Sequence, residues 1–250
     1  MTLLTRGGFK VSKLAVMLDP GHGLPADPGA CGNGLKEADI NWQTAIEVKA
    51  LLDARGINCK LSRTENENPT LQERAARSAS WGSDIVISIH HNAGGGVGFE
   101  IYKSIKHSTD DRLAELLAKE FKAIGQAPHG QGIFTKILSD KSDYYGILRY
   151  CALHGVPAII CEYAYLDSAD FDKINSKPKT DREAEAIAKA VCVLCGVVWD
   201  VKDDITSLLD GITAKGVQFD FAYWDNVLRG KETAKAEYLT VLLQRMIGQA

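Results

Sequence analysis

The stretch Val86-Ile87-Ser88-Ile89-His90-His91-Asn92-Ala93, running into Gly94-Gly95-Gly96, decides the reading of the fold. A short apolar run ends abruptly in two histidines and an asparagine, then in a glycine loop. A buried strand that carries polar side chains to the rim of a sheet has this form. On its N-terminal side lie two more strand-like runs, residues 14–18 and 57–61. On its C-terminal side lie residues 99–102, 132–135 and 157–161, the last ending in Glu162. The first run is apolar on both faces and stops at Asp19-Pro20-Gly21-His22-Gly23, a tight loop with His22 at its tip.

Helical periodicity fills the gaps between these runs. Glu37 opens a helix whose stripe is Ala38, Asn41, Ala45, Val48 and Leu52, closed at Arg55-Gly56. Thr70-Leu71-Gln72-Glu73 is a capping box for a helix that ends at Gly82. Ser108 or Thr109 caps a helix with the stripe Leu113, Leu116, Leu117, Phe121 and Ile124. Another starts near Ser142, carries Ile147, Leu148 and Cys151, and stops at Gly155. A second capping box, Thr180-Asp181-Arg182-Glu183, predicts a helix bearing Ala184, Ile187, Ala188, Val191 and Cys195, up to Gly196. Strands alternating with helices predict an α/β fold, a sheet of about six strands with helices on both faces. From about Val201 only helical stripes occur, among them Ile205, Leu208, Leu209 and Ile212. The expected division is a domain over residues 1–198 and a small all-helical C-terminal module over 199–250.

Composition excludes several classes. The 250 residues are 45% hydrophobic and 24% charged, an ordinary globular balance. A net charge of −3 makes no electrostatic case for nucleic acid or for an anionic membrane. Six cysteines are scattered, without the dense spacing of a disulfide scaffold. Cys192 and Cys195 form a C-x-x-C inside a helical pattern with no second pair, which reads as helix core. No stretch approaches the ~20 apolar residues of a membrane span, and the N-terminus has no signal-peptide pattern. The expectation is a chain made soluble in the cytoplasm.

Four strand and helix ends carry chemistry: His22, Glu37, His90 and Glu162. In open α/β sheets, sites form outside the carboxyl ends of the strands, where all four fall. Two histidines and a carboxylate make a catalytic zinc set that leaves a position open for water. A further carboxylate at the mouth of an apolar strand suits a general base, because burial raises its pKa. Each residue also has a plainer reading. A histidine after Pro-Gly is commonly a turn residue, and a glutamate in a first helical turn favours the helix dipole. Spacing alone leaves both readings open.

The ordered motifs go further. LDPGHG (18–23) with DPGA (27–30), GLKEADIN (34–41), LQER (71–74), SIHHNA (88–93) and VPAIICEYAYLDSADF (156–171) resemble the zinc-dependent N-acetylmuramoyl-L-alanine amidases of the amidase-3 family, which cut peptidoglycan. The resemblance covers residues 14–195. It implies a twisted, mostly parallel sheet, one zinc ion held by His22, Glu37 and His90, and Glu162 as the catalytic glutamate. It implies hydrolysis of the amide between the lactyl group of N-acetylmuramic acid and L-alanine, with peptidoglycan as the partner. Arg74 and Asn92 match family positions: Arg74 reads first as structural, with substrate contact or support of the ligands as the alternative, and Asn92 as loop support or a substrate contact.

Two departures stand out. The family motif usually has alanine at His91, and the segment after Glu162 reads Tyr163-Ala164-Tyr165. Adjacent strand residues face opposite sides, so His90 and His91 cannot share a metal. The motif register selects His90, which leaves His91 as a support for the ligands, a substrate contact or a rim residue. The tail, with Tyr223-Trp224 and Leu242-Leu243-Gln244-Arg245-Met246, resembles short helical modules of some wall hydrolases. Wall binding, homodimerisation through its helices and simple docking are open to it. Without a signal peptide, an endolysin that reaches the wall after release is the expected context, with a sporulation or autolytic enzyme beside it. Two other readings remain: a zinc peptidase cutting within the stem peptide, and a non-catalytic wall-binding protein.

Overall fold

The computed structural model describes residues 14–107 and 109–199. The expected C-terminal module from residue 200 onward, its homodimerisation and the Ser108 cap lie outside the described residues. Strands β1 (Ala15–Pro20), β4 (Asn58–Leu61), β5 (Ile85–Asn92), β6 (Phe99–Lys103), β7 (Pro128–Phe134) and β8 (Ala158–Tyr165) form one sheet. Its order is β4-β1-β5-β8-β6-β7. β4, β1, β5 and β8 are mutually parallel, while β6 pairs antiparallel with β8 and parallel with β7. The mostly parallel sheet of six strands is the one expected. A two-stranded hairpin, β2 (Cys31–Gly32) and β3 (Leu35–Lys36), stands apart from it.

Every residue of β1 is buried, because helices cover both faces of the sheet. Helices α1 (Glu37–Asp53), α3 (Thr109–Ala123) and α5 (Lys177–Cys195) pack together on one face. On the other, α2 (Leu71–Trp81) and α4 (Gly146–Leu153) cover Met17, Val86, Ala158 and Ile160 with Ala75, Ile147, Leu148 and Cys151. The capping box at Thr70 forms: its hydroxyl accepts from Glu73 N at 3.2 Å, and Glu73 accepts from Thr70 N at 2.7 Å. Gly82 and Gly196 close α2 and α5 in the left-handed conformation. Cys192 and Cys195 are buried on α5, with their thiols pushed up to about 11, first of all by burial.

Three local expectations need correction. Helix α5 begins at Lys177, with Ser176 as its N-cap and Pro178 in the first turn. Thr180 therefore lies inside the helix, where its hydroxyl donates to Lys177 O at 2.9 Å, and Glu183 points into the core instead of capping. Helix α4 begins at Gly146 rather than near Ser142. Asp143 accepts from Ser104 Oγ (2.7 Å) and Ile105 N (3.0 Å), and Tyr144 N donates to Lys136 O (2.8 Å), so tertiary bonds hold this segment out of the helix. The stretch from Gly23 to Gly34, expected as a continuous loop, instead carries this hairpin, which turns on Asn33 and Gly34, both at positive φ (51° and 82°). Asn-Gly between two short extended pairs is a strong hairpin signal, here set inside a Gly- and Pro-rich stretch.

Beneath the C-terminal edge of the sheet, Arg74 ties α2 to the exit of β1. It is 3% exposed and donates to Asp19 Oδ1 (2.9 Å), Pro20 O (2.8 Å), His22 O (2.6 Å) and Pro69 O (3.0 Å). Burial alone would raise the pKa of Asp19. Arg74 and the hydroxyls of Ser62 and Ser88 outweigh it and hold the carboxyl below the usual range. Removing one partner of a buried pair strands the other charge. Arg74→Leu is therefore expected to destabilise the metal-free protein by about 3–5 kcal/mol in urea unfolding. A loss below about 1 kcal/mol would show that Asp19 finds another partner.

Candidate metal centre

The exits of β1, β5 and β8 and the start of α1 meet at one edge of the sheet. Close approach there requires two glycines. Gly21 N donates to Ile89 O at 2.9 Å, and a Cβ on Gly21 would lie 2.2 Å from the His90 ring. Gly29 has φ 67°, and a Cβ there would meet Glu37 Oε2 and the His22 ring, both at 2.6 Å. His22 itself sits at φ 58°, a conformation rarely taken by residues other than glycine and costing on the order of 1 kcal/mol. The paired bonds between Gly23 and Asp27, and the bond from Arg74 to His22 O, hold it there.

Glu37, in the first turn of α1, is 3% exposed and lies between two imidazoles. Its Oε2 is 3.2 Å from His22 Nε2, and its Oε1 is 2.8 Å from His90 Nδ1. Among the described residues these three offer donor atoms all within 4.8 Å of one another. Backbone N–H groups complete the carboxylate's bonding: Ala30 N donates to Oε2 (2.8 Å) and His91 N to Oε1 (3.1 Å). The far nitrogen of His22, Nδ1, is 2.8 Å from Asp27 Oδ2. This fixes the ring with Nε2 toward Glu37, as metal-binding histidines are usually fixed. Burial would raise Glu37, but the two histidines drive its pKa far below the carboxylate range. Burial would lower the histidines, yet Glu37 and Asp27 lift His22 to about 9, and Glu37 with Glu162 raises His90. The array thus collects positive charge around a buried anion, and a dication bound by these donors would supply that charge directly.

Glu162 stands beside His90 in the β5–β8 register. Burial, the largest influence, lifts its pKa to about 7, with His90 opposing and Glu37 adding. Its Oε2 is buried without a hydrogen-bond partner among the described residues. An oxygen left unpartnered beside a candidate metal site is placed to take a proton from a water. The four residues line a cleft of about 690 Å³, walled on its other side by Leu71 and Tyr145.

The remaining expected site residues separate. Asn92 lines the cleft, where its Nδ2 donates to Glu100 at 2.6 Å and its Oδ1 accepts from Ala93 N at 3.0 Å. Arg74 is the buried tie described above. The His91 side chain is 1% exposed and turned toward α1 and α5, bonded to Asn41 and Glu183. Burial would lower its pKa, but Glu183 more than offsets this and raises it. Reading the sequence assigned no site role to Asp27, Asn41, Glu100 or Glu183. Asp27 had a local signal, a carboxylate five residues after His22, whereas the other three join the site only through packing.

Residues 16–193 match the Amidase_3 family, N-acetylmuramoyl-L-alanine amidase. The chain is 32% identical over 166 residues to the sporulation-specific N-acetylmuramoyl-L-alanine amidase of Bacillus subtilis (strain 168), which covers 64% of this chain and 60% of that protein. It is 33% identical over 162 residues to the endolysin of Bacillus phage SPP1, over 64% of this chain and 57% of that one. The chain thus spans less than two thirds of the length of these relatives. Among solved structures, Cwp6 from Clostridium difficile aligns with a TM-score of 0.66 at 31% identity, over 71% of this chain and 28% of that chain. The catalytic domain of CwlV, N-acetylmuramoyl-L-alanine amidase from Bacillus (Paenibacillus) polymyxa var. colistinus, shares the fold, with a TM-score of 0.63 at 24% identity over 74% and 99% of the two chains. The matched span takes in all six strands of the sheet but for Ala15, and all four residues of the centre, and the chain belongs to the Amidase_3 family.

Proposed function

We propose that this chain hydrolyses the amide bond between the lactyl group of N-acetylmuramic acid and L-alanine in peptidoglycan. The observation that carries the reading is the His22–Glu37–His90 cluster with the unpartnered Glu162 carboxylate facing the same cleft. Zinc suits this donor set of two imidazoles and a carboxylate, and when bound it supplies a Lewis acid and an acidified water. His22, Glu37 and His90 are its ligands, and Asp27 keeps His22 in the tautomer that presents Nε2. Glu162 takes a proton from the attacking water and returns it to the departing alanine nitrogen as the C–N bond breaks. Leu71 and Tyr145 give the bulky substrate an apolar wall. The relatives include a sporulation amidase and a phage endolysin, and the reading places this chain among enzymes that act on the cell wall in either setting. No described helix is long and apolar enough to cross a membrane.

Four outcomes follow. Glu162→Gln should keep about one zinc per chain and lose about 10²–10⁴-fold in wall hydrolysis; a fully active variant would remove Glu162 from the chemistry. His22→Ala should lose stoichiometric zinc. In the metal-free protein the His22 ring carries a proton below pH about 9, and zinc needs the neutral ring, so the metal displaces that proton. Zinc affinity, measured by chelator competition, should therefore rise with pH up to about 9, and a pH-independent affinity would contradict His22 ligation. Digestion of purified wall should release new L-alanine amino groups with no new reducing ends. Amino groups from other stem residues would favour a peptidase.

A further inference from the structure

His91 and Glu183 form a fully buried ion pair, Nε2 to Oε2 at 3.0 Å, between β5 and α5. Stability gives little reason for it. A buried pair is commonly no better than an apolar pair of similar volume, and here Glu183 Oε1 has no hydrogen-bond partner among the described residues. The pair does have a continuous path to the metal centre. The other His91 ring nitrogen, Nδ1, is 2.8 Å from Asn41 Oδ1. Asn41, 0% exposed on α1, donates from Nδ2 to Glu37 Oε1 and to Gly21 O, both at 3.3 Å. Those two acceptors fix the amide: its nitrogen faces Glu37, so its oxygen must face His91, which must donate to it. Thr44 Oγ1 donates to Glu183 Oε2 at 3.4 Å and holds the far end. Without the His91 donor, Asn41 Oδ1 is left buried and unpaired, and the amide that donates to Glu37 is no longer held from behind.

We propose that His91, clamped by Glu183, is a positioning residue for Glu37 and acts through Asn41. Groups that orient a metal-ligating residue from behind typically change metal affinity about 10–100-fold when removed. The inference rests on the zinc reading of the centre and adds a specific support for one ligand.

The test uses the full 250-residue chain and Zn²⁺ itself, with affinity read by chelator competition. Because His91→Ala alone would strand Glu183, the pair is replaced together as His91→Leu/Glu183→Leu, which keeps an apolar core. This double variant and Asn41→Ala should each weaken zinc about 10–100-fold. The triple variant should be no weaker than Asn41→Ala alone, since both lesions cut one path. At saturating zinc, kcat should fall with KM unchanged, and the visible spectrum of the Co²⁺-loaded protein should shift. His91→Gln, whose amide can still donate to Asn41, should lose less than about tenfold. Wild-type affinity in the double variant or in Asn41→Ala, or effects that multiply in the triple variant, would overturn the proposal. If the double variant does not fold, Asn41→Ala and His91→Gln decide it in the same way. Failure of the wild type to bind zinc would instead overturn the reading of the centre.

Discussion

The Glu37 carboxylate is buried, and a buried carboxylate has to be neutralised and hydrogen-bonded or it loses its charge. Much of what surrounds it answers that constraint. Two imidazoles flank it, two backbone N–H groups donate to it, and Asn41 donates from α1 one turn on. The same arrangement that stabilises the anion assembles three metal-type donors in one place. The need to neutralise a buried anion thus gathers donors of the kind that would hold a divalent cation.

The fold brings these groups together by making chain segments cross where side chains would forbid it. Gly21 lets the β1 exit pass under the His90 ring, and Gly29 lets the next loop pass over Glu37. Arg74 then fixes the backbone at Pro20 and His22 from below, so the unusual φ of His22 is held from two sides. Register does the rest. In-phase pairing of β5 with β8 sets His90 beside Glu162, and the alternation of the strand sends the neighbouring His91 to the opposite face. One strand thereby supplies a group to the cleft and a tie to the helices behind it.

Much of this was legible in the chain because it depends on local pattern. Apolar runs bounded by glycine and proline marked the strands of the sheet, and the Thr70 capping box marked the start of α2. Where local signals misled, long-range bonds had won. Thr180 and Glu183 have capping-box spacing, but the helix starts four residues earlier, at Lys177 with Ser176 as its cap, and Glu183 is bonded to His91. The stretch before α4 is expected to be helical from about Ser142, but Asp143 is engaged by Ser104, 39 residues away, and Tyr144 N by Lys136 across a short loop. Asn41 looked like a polar residue on an apolar stripe, and its stripe position was the clue to its burial.

By itself the sequence determined the alternation of strands and helices, the covering of the sheet on both faces, and the strand and helix ends that bear His22, Glu37, His90 and Glu162. These follow from periodicity and turn chemistry, which act over a few residues. Only the tertiary structure decided that donor atoms of the first three lie within 4.8 Å, that Glu162 keeps an unpartnered oxygen, and that His91 turns inward to Glu183, 92 residues away. Those depend on packing between segments distant along the chain. A buried charge takes its partner from whatever the fold sets against it, and spacing along the chain does not encode that choice.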